Sequence, residues 1–273
     1  MRLVCGKYAL ALERPLVMGI VNVTPDSFSD GGKHFDRRAA IAHARRLIEN
    51  GADILDIGGE STRPGAQLAS LSEELDRVIP VIEAVAGAGV PISIDTQKPE
   101  VMRLAIAAGA CIVNDVNALQ APGALQAIAG SKAAVCLMHR QGSTETMQQN
   151  PEYHDVVAEV KEFLRERTDA VLATGVAAER IIIDPGFGFG KTVAHNLRLL
   201  RDLDAFLDLG FPVMVGLSRK STLGTITGRP VNERMAASLA AALLAAQKGA
   251  KIIRVHDVRE TIDALKILQA SGK

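Results

Sequence analysis

Carboxylate and carboxamide side chains that could recognise a small polar molecule stand at the ends of three short apolar runs. Asp95, Asn114 and Asp184 each follow such a run directly. A carboxylate accepts hydrogen bonds from two adjacent N–H groups, and a carboxamide can both donate and accept. Each residue alone could simply cap the helix that follows it. If the three converge, they predict a site for a flat heterocycle that carries several N–H donors.

A second set of side chains at the ends of such runs is cationic. Lys220 follows the seventh apolar run, Arg254 lies inside the last one, and His256 ends it. Because side chains alternate along a strand, Arg254 and His256 face the same way, and a guanidinium inside a strand must be paired. Lys220 alone could be a solvated surface lysine. Barrels commonly bind phosphate at the ends of their last two strands, so the set predicts an anion site.

Eight apolar runs, rich in Val and Ile and separated by helical patterns, must position these groups. Such runs are typical of strands in a parallel sheet that is buried on both faces. They occupy residues 16–23, 54–59, 92–94, 112–113, 135–138, 181–183, 213–217 and 252–255. Within 273 residues they predict one domain, 1–273, folded as a (β/α)8 TIM barrel with its catalytic groups at the carboxyl-terminal rim of the strands. Residues 3–12 could form a β-hairpin at the barrel bottom.

The composition narrows the partners and the location of the protein. The 31 basic and 31 acidic residues give a formal net charge of zero without a long basic run, so we expect no nucleic-acid partner. No apolar run reaches the length of a membrane span, and the N-terminus lacks a signal-peptide core, so we expect no membrane association. The three cysteines without C-x-x-C spacing fit a reducing compartment, and we expect a cytoplasmic protein.

Three familiar motifs find little support in this chain. Residues 184–192 look like a phosphate loop, but Pro185 occupies the position of the first required glycine, which favours a flexible turn that approaches a ligand closely. His139 ends the fifth run and could be a metal ligand or an ordinary strand-end residue, and the six histidines form no zinc motif. No G-x-S-x-G elbow indicates a serine nucleophile.

Two loops and one helix complete the pattern. The loops after the first and second strands, residues 24–32 and 61–65, are polar and marked by Gly and Pro, which suits mobile lids. Residues 235–246 form a predicted helix with Ser238 as its only polar residue, and a helix that is apolar all round is buried all round. One side packs on the barrel, so we expect the other side to pack on a second copy in a homodimer.

Five motifs of this chain resemble, in order, those of the dihydropteroate synthase family. They cover residues 18–32, 58–65, 184–191, 218–221 and 254–257, and the resemblance runs from about residue 17 to about residue 264. The family condenses 6-hydroxymethyl-7,8-dihydropterin pyrophosphate with p-aminobenzoate, giving 7,8-dihydropteroate and pyrophosphate in folate biosynthesis, and it is the target of sulfonamide inhibitors. The resemblance therefore implies a transferase of a pterinylmethyl group that uses Mg2+.

The resemblance also implies a role for each matching residue. The pterin would be bound by Asp95, Asn114, Asp184, Lys220 and Arg254. The pyrophosphate would be bound by Asn22, Arg254 and His256, with Asn22 as the Mg2+ ligand. The p-aminobenzoate pocket and the lid loops would contain Phe28, Thr62, Arg63, Pro64, Phe189, Ser218 and Ser221. The catalytic set would be Asp95, Lys220, Arg254 and His256.

The expected chemistry is an SN1-like loss of pyrophosphate. An aryl amine is already neutral at pH 7, so a general base would add little, and the useful step is to ionise the electrophile. Cations would stabilise the leaving group and Asp95 would relieve the pterin-methylene cation. Two alternatives fit less well: a pterin-dependent corrinoid methyltransferase has no need for the lid loops or the pyrophosphate site, and a non-catalytic pterin-binding module has no need for the catalytic set.

Overall fold

The computed structural model describes residues 1–24, 32–61, 68–142, 147 and 149–272, and the side chains of the first helix from residue 37 onward. The described residues form ten strands: β1 (Arg2–Cys5), β2 (Tyr8–Ala11), β3 (Leu16–Asn22), β4 (Ile54–Gly58), β5 (Ile92–Asp95), β6 (Ile112–Asp115), β7 (Ala134–Met138), β8 (Ile181–Asp184), β9 (Met214–Val215) and β10 (Ile252–Val255).

The last eight strands form the predicted barrel. Their order is β8-β7-β6-β5-β4-β3-β10-β9, and every neighbouring pair is parallel. The two edges meet at one parallel bridge between Ile183 and Val213, where the Ile183 N–H also donates to the Pro212 carbonyl at 3.0 Å. The (β/α)8 TIM barrel is thus confirmed, and the carboxyl ends of all eight strands lie at one rim.

Nine helices surround the barrel in the described part of the chain: α1 (Gly32–Glu49), α2 (Leu71–Val85), α3 (Pro99–Ala108), α4 (Ala124–Ala129), α5 (Val156–Leu172), α6 (Val193–Arg201), α7 (Ser221–Thr227), α8 (Met235–Gln247) and α9 (Val258–Ala270). Polar residues cap the N-termini of several helices: Ser70 and Glu73 form a capping box on α2, and Asp155 caps α5. Helix α6 ends at Arg201, and a 3-10 helix over Leu203–Leu209 follows it. Among the described residues, no helix combines the length and apolar character that crossing a bilayer requires.

Alternation along the strands builds two layers inside the barrel. The lower layer is apolar and packs against the predicted hairpin, in which β1 and β2 pair antiparallel. Its strand members include Met18, Ile54, Ile112, Cys136, Ile182, Met214 and Ile252, and Leu3 and Cys5 of the hairpin are buried with them. Two residues further along four of these strands, the same face carries Asp56, Asn114, Asp184 and Arg254. The intervening residues pack outward into the larger core with the helices. A polar layer therefore rests on an apolar floor at the barrel mouth.

The apolar helix α8 is buried on one face only. Its buried positions are Ser238, Ala241, Ala242 and Ala245. Met235 is 44% exposed and Leu244 is 52% exposed. The Ser238 hydroxyl donates to the Arg234 carbonyl and accepts from the Arg219 N–H, so the one polar side chain is satisfied inside the fold. The opposite, apolar face lies open in the single chain.

Candidate active site

The Arg254 guanidinium lies at the centre of the polar layer and donates hydrogen bonds to two carboxylates. Arg254 Nε is 2.5 Å from Asp56 Oδ2, and Arg254 Nη2 is 2.6 Å from Asp95 Oδ2. Asp56 is fully buried, and its Oδ2 also accepts from Asn114 Nδ2 at 3.1 Å. The structure thus brings together three predicted residues from three strands, Arg254, Asp95 and Asn114. Asp56 is the partner that the guanidinium inside a strand requires.

Asp56 is a site residue that sequence reasoning missed, although a signal for it exists. It interrupts the apolar run of β4 and lies on the same strand face as Ile54. The argument that identified Arg254, a charge inside a buried strand, applies equally to Asp56. The two are 198 residues apart in the chain, so neither reveals the other as its partner.

Burial and neighbouring charges have opposite effects on the pKa values of Asp95 and Arg254. Burial raises the pKa of Asp95 to about 7, although the neighbouring Arg254 acts to lower it. For Arg254 burial acts to lower the pKa, but Asp56 and Asp95 together raise it above its ordinary value. The guanidinium therefore stays charged at neutral pH, while Asp95 titrates near neutrality.

Three buried oxygens of the polar layer have no hydrogen-bond partner among the described residues. They are Asp56 Oδ1, Asn114 Oδ1 and Ser93 Oγ. Buried polar atoms are nearly always hydrogen-bonded in native proteins. Two of these oxygens belong to side chains that surround Arg254, and an N–H-rich ligand in the mouth would satisfy such acceptors.

Asp184, at the end of β8, is 4% exposed, and its carboxylate accepts a hydrogen bond from the backbone of the following turn. Its Oδ1 accepts from the Gly186 N–H at 2.7 Å. Burial raises the pKa of Asp184, and the Gly186 N–H and then Lys220 act to lower it. The residue therefore both holds the turn after β8 and contributes negative potential beside Lys220.

Lys220 lies over the face of the Phe189 ring. Its Nζ is 4.0 Å from the ring centroid, a cation–π distance. Burial lowers the pKa of Lys220 to about 8, Arg254 adds to this effect, and Asp184 and Asp95 oppose it. The structure therefore brings together Lys220 and Phe189, one predicted for the pterin site and the other for the p-aminobenzoate pocket.

Ser218 and His256 form a pair at the ends of β9 and β10. Ser218 Oγ lies 2.9 Å from His256 Nδ1 and accepts from the His256 N–H at 3.2 Å. Next to this pair, Arg219 donates to both carboxylate oxygens of Asp257, at 3.1 and 2.5 Å. Ser218, predicted for the lid assembly, thus contacts the imidazole that is predicted to bind pyrophosphate.

The remaining predicted residues lie at the same rim or outside the described residues. Asn22 ends β3 in register with Gly58, and Gly58 is in register with Asp95 on the next strand. Ser221 is exposed and begins α7. The positions outside the described residues are Phe28, Thr62, Arg63 and Pro64.

A charged cluster at the end of β4 is a second feature that sequence reasoning did not assign. Lys98 Nζ lies 2.5 Å from both Glu60 Oε2 and Glu74 Oε2. Glu60 Oε2 also accepts from the Ala69 N–H at 3.1 Å. The cluster connects the end of β4 to α2, through Glu74, and to the segment that precedes α2, through Ala69.

His139 is also part of a buried pair. Its Nδ1 lies 2.9 Å from Lys191 Nζ, and both side chains are buried. No group of three His, Cys, Asp or Glu side chains within the described residues could hold a metal ion. Of the two interpretations of His139, the structure supports a role inside the fold.

Comparison with known proteins agrees with this geometry. The model of the pterin binding enzyme family matches residues 18–256. The curated dihydropteroate synthase of Escherichia coli (strain K12) is 50% identical over 272 residues, covering 99% of this chain and 96% of the relative. Solved dihydropteroate synthases superpose closely: that of Xanthomonas albilineans with 4-aminobenzoic acid has a TM-score of 0.94 at 56% identity, covering 99% and 97% of the two chains. That of Yersinia pestis with a sulfonamide drug complex has a TM-score of 0.95 at 47% identity, covering 99% of each chain.

Proposed function

The chain belongs to the pterin-binding enzymes and, within them, to the dihydropteroate synthases, and we propose that the side chains of its barrel mouth divide the reaction among themselves as follows. It condenses 6-hydroxymethyl-7,8-dihydropterin pyrophosphate with p-aminobenzoate and releases pyrophosphate. The single observation that carries the assignment of roles is the Arg254 guanidinium between Asp56 and Asp95, beside Asn114. It places hydrogen-bond acceptors and a fixed cation in one buried layer.

The acceptors of this layer recognise the pterin. Asp184 accepts from the 2-amino and N3 groups, Asn114 pairs with the opposite ring edge, and Asp95 lies near the reacting side. The unpartnered oxygens of Asn114 and Asp56 support this role, because they are buried acceptors that a ring N–H would satisfy. Lys220 reaches the carbonyl side of the ring, and Arg254 lies along it.

The cations and Asn22 bind the leaving pyrophosphate. Arg254 and His256 are on β10 or directly after it, and β10 is paired with β3, which ends at Asn22. Asn22 offers a hard carbonyl oxygen, the donor type that Mg2+ takes, and Mg2+ commonly binds one or two protein oxygens together with substrate phosphates. The Asn22 side-chain oxygen fits Mg2+ and would be its protein ligand. When bound, Mg2+ supplies charge neutralisation at the pyrophosphate oxygens.

The protein accelerates loss of pyrophosphate rather than activating the amine. Arg254 and Lys220 carry positive charge to the departing oxygens, where fixed charges in a buried site act more strongly than in water, and the His256 imidazole binds the same oxygens. Asp95 stabilises the planar pterin-methylene cation that remains. Ser218 orients the His256 imidazole through the 2.9 Å contact with Nδ1. The neutral p-aminobenzoate amine then attacks the methylene carbon and loses a proton to solvent.

The second substrate is held at the side of Phe189. Phe189 forms a wall of the p-aminobenzoate pocket, and Ser221 at the start of α7 is suited to the aryl carboxylate. By the resemblance, Phe28, Thr62 and Pro64 would complete the pocket, and Arg63 and Ser218 would serve the loops that close over it. A sulfonamide would occupy the same pocket, a proposal supported by the Yersinia pestis relative in its sulfonamide drug complex.

Turnover tests these assignments. We expect the protein to form dihydropteroate and pyrophosphate from the two substrates with Mg2+, and a sulfonamide to compete with p-aminobenzoate. Asp56→Asn and His256→Ala should slow the reaction, while Asp208→Asn, which changes an exposed carboxylate paired with Lys161, should not. Equal activity in the wild type, Asp56→Asn and His256→Ala would contradict the assigned roles.

We also propose that the protein is a cytoplasmic homodimer. Met235 and Leu244 on α8 are exposed apolar side chains, as are Ile226 on α7 and Val231 just before α8, at 53% and 51%, and exposed apolar side chains on α8 suit contact with a second copy. The three cysteines are free and buried, which suits a reducing compartment. Light scattering should give twice the monomer mass of 28.9 kDa, and Leu244→Glu should lower it; a monomeric wild type at micromolar concentration would contradict the dimer.

A further inference from the structure

A buried lysine ammonium lies behind the Gly-rich turn that follows β8. Lys191 is 3% exposed. Its Nζ lies 2.9 Å from the Gly186 carbonyl, 3.0 Å from the Phe189 carbonyl and 2.9 Å from His139 Nδ1. The three N–H donors of an ammonium group thus meet three acceptors, with the His139 carbonyl further away at 3.4 Å. All four acceptors are uncharged, so the turn is folded around a cation rather than around an ion pair.

His139 is suited to be an acceptor for this ammonium. Burial lowers the pKa of His139 to about 3, and Lys191 adds to this effect. The imidazole is therefore neutral at pH 7, and one ring nitrogen is free to accept. The ring is held edge-on against Phe163 at a centroid distance of 4.9 Å. Burial also lowers the pKa of Lys191 to about 7, and the Asp184 carboxylate acts to raise it.

The turn cannot easily move away from the ammonium. Gly186 and Gly190 have φ angles of 72° and 63°, in the left-handed region that favours glycine. A Cβ on Gly186 would lie 1.8 Å from the His139 carbonyl oxygen, and one on Gly190 would lie 2.4 Å from that of Gln141. Tyr153 Oη also donates to the Gly190 carbonyl at 2.8 Å. The turn is therefore packed directly against the backbone that follows β7.

This arrangement holds the backbone of Phe189 in place. Its carbonyl is an acceptor for Lys191, and its ring lies 4.0 Å from Lys220 Nζ on the mouth side of the turn. We propose that Lys191, with His139 as its acceptor, is a positioning residue that fixes the Phe189 ring in the p-aminobenzoate pocket and against Lys220. This inference rests on the proposed function, since it assigns Phe189 to that pocket.

The first test separates KM from kcat in Lys191→Met. Methionine keeps the length of the side chain but has no N–H donor. We expect the KM for p-aminobenzoate to rise about 10- to 100-fold, the scale of a misplaced positioning group, with kcat changing far less. A purely structural role would lower the folded fraction and therefore kcat per total protein, and it would leave KM unchanged. Lys161→Met, at a half-buried lysine paired with Asp208 and far from the turn in sequence, is the matched control and should retain both constants.

Two His139 variants test the pair without touching the lysine. Asparagine offers a side-chain carbonyl oxygen as acceptor, and leucine offers none. His139→Leu should raise the KM for p-aminobenzoate as Lys191→Met does, and His139→Asn should keep it near that of the wild type. If Lys191→Met does not fold, these two variants decide the question, and equal KM values for them would overturn the inference.

A double-mutant cycle tests whether Lys191 acts through Phe189. Phe189→Ala should itself raise the KM for p-aminobenzoate, and adding Lys191→Met should then change it little, because the ring to be positioned is gone. Multiplicative effects would overturn the inference. A wild type without turnover would refute the proposed function, whereas an active wild type with an unchanged KM in folded Lys191→Met would refute only the positioning role.

Discussion

Replacing Asp95 by asparagine removes one carboxylate charge from the barrel mouth while keeping the size and shape of the side chain. The carboxylate is 2.6 Å from the Arg254 guanidinium, and Asp56 holds the same guanidinium at 2.5 Å. Arg254 therefore keeps one buried anionic partner in the variant. The free energy of unfolding and the turnover number should respond in opposite directions.

The expected gain in stability follows from the pKa of Asp95. Burial raises this pKa from 3.8 to about 7 despite Arg254. A carboxyl group with a raised pKa in the folded state binds its proton more tightly there, so its contribution to stability falls as pH rises from about 4 through about 7. At about 1.4 kcal/mol per pH unit, the full penalty is roughly 4 kcal/mol above pH 8. This penalty already includes the attraction to Arg254, so Asp95→Asn escapes it and should be more stable than the wild type by roughly 2–4 kcal/mol at pH 8.5.

Urea denaturation at pH 8.5 and pH 5, followed by circular dichroism, measures the difference in unfolding free energy. It should be larger at pH 8.5. Turnover should fall about 100-fold or more, the scale of one lost electrostatic contact in a transition state. Asp208→Asn is the control for a carboxylate at the surface, where the side chain is 76% exposed. An equal loss of stability at both pH values would refute the electrostatic reasoning, and an unchanged kcat would refute the catalytic role of Asp95.

Three other variants probe the rest of the mouth. Asp184→Asn should weaken binding of a dihydropterin by roughly 2–5 kcal/mol in calorimetry, because a buried charged partner is lost, and near-wild-type affinity would contradict its role. Arg254→Met removes the cation that lies between two buried carboxylates and should lower the free energy of unfolding by about 3–5 kcal/mol at pH 8, with a smaller loss at pH 5, where Asp95 is protonated; a loss independent of pH would argue against the pairing. Ser218→Ala should weaken product inhibition by pyrophosphate by about 1 kcal/mol through His256, without changing the KM for p-aminobenzoate.

The barrel and the direction of its site could be predicted because both depend on local patterns. A buried parallel strand is an apolar run, and alternation along β10 places Arg254 and His256 on one face. The partner of Arg254 could not be predicted in this way. Asp56 lies on another strand, and only closure of the barrel brings the two together.

His139 and Lys191 show the same limit. Each residue, taken alone, is compatible with an ordinary role at a strand end or in a turn. The pair exists because β7 and β8 are neighbours and because the glycines of the turn let its backbone fold onto the ammonium. Ser218 was predicted for the lid assembly, and its contact with His256 follows from the pairing of β9 with β10. Long-range contacts of this kind are set by topology and leave little trace in local sequence.

The central claim is that the protein ionises the pterin pyrophosphate before the amine attacks. The most direct measurement is the secondary deuterium isotope effect on kcat/KM for the pterin substrate dideuterated at its methylene carbon, in the wild type and in the slower Asp95→Asn. If the bond from the methylene carbon to pyrophosphate breaks before the bond to the amine forms, the secondary isotope effect should be normal, clearly above one, in both proteins. A value of one or below in Asp95→Asn, in which the chemical step limits the rate, would contradict the account and indicate direct displacement by p-aminobenzoate.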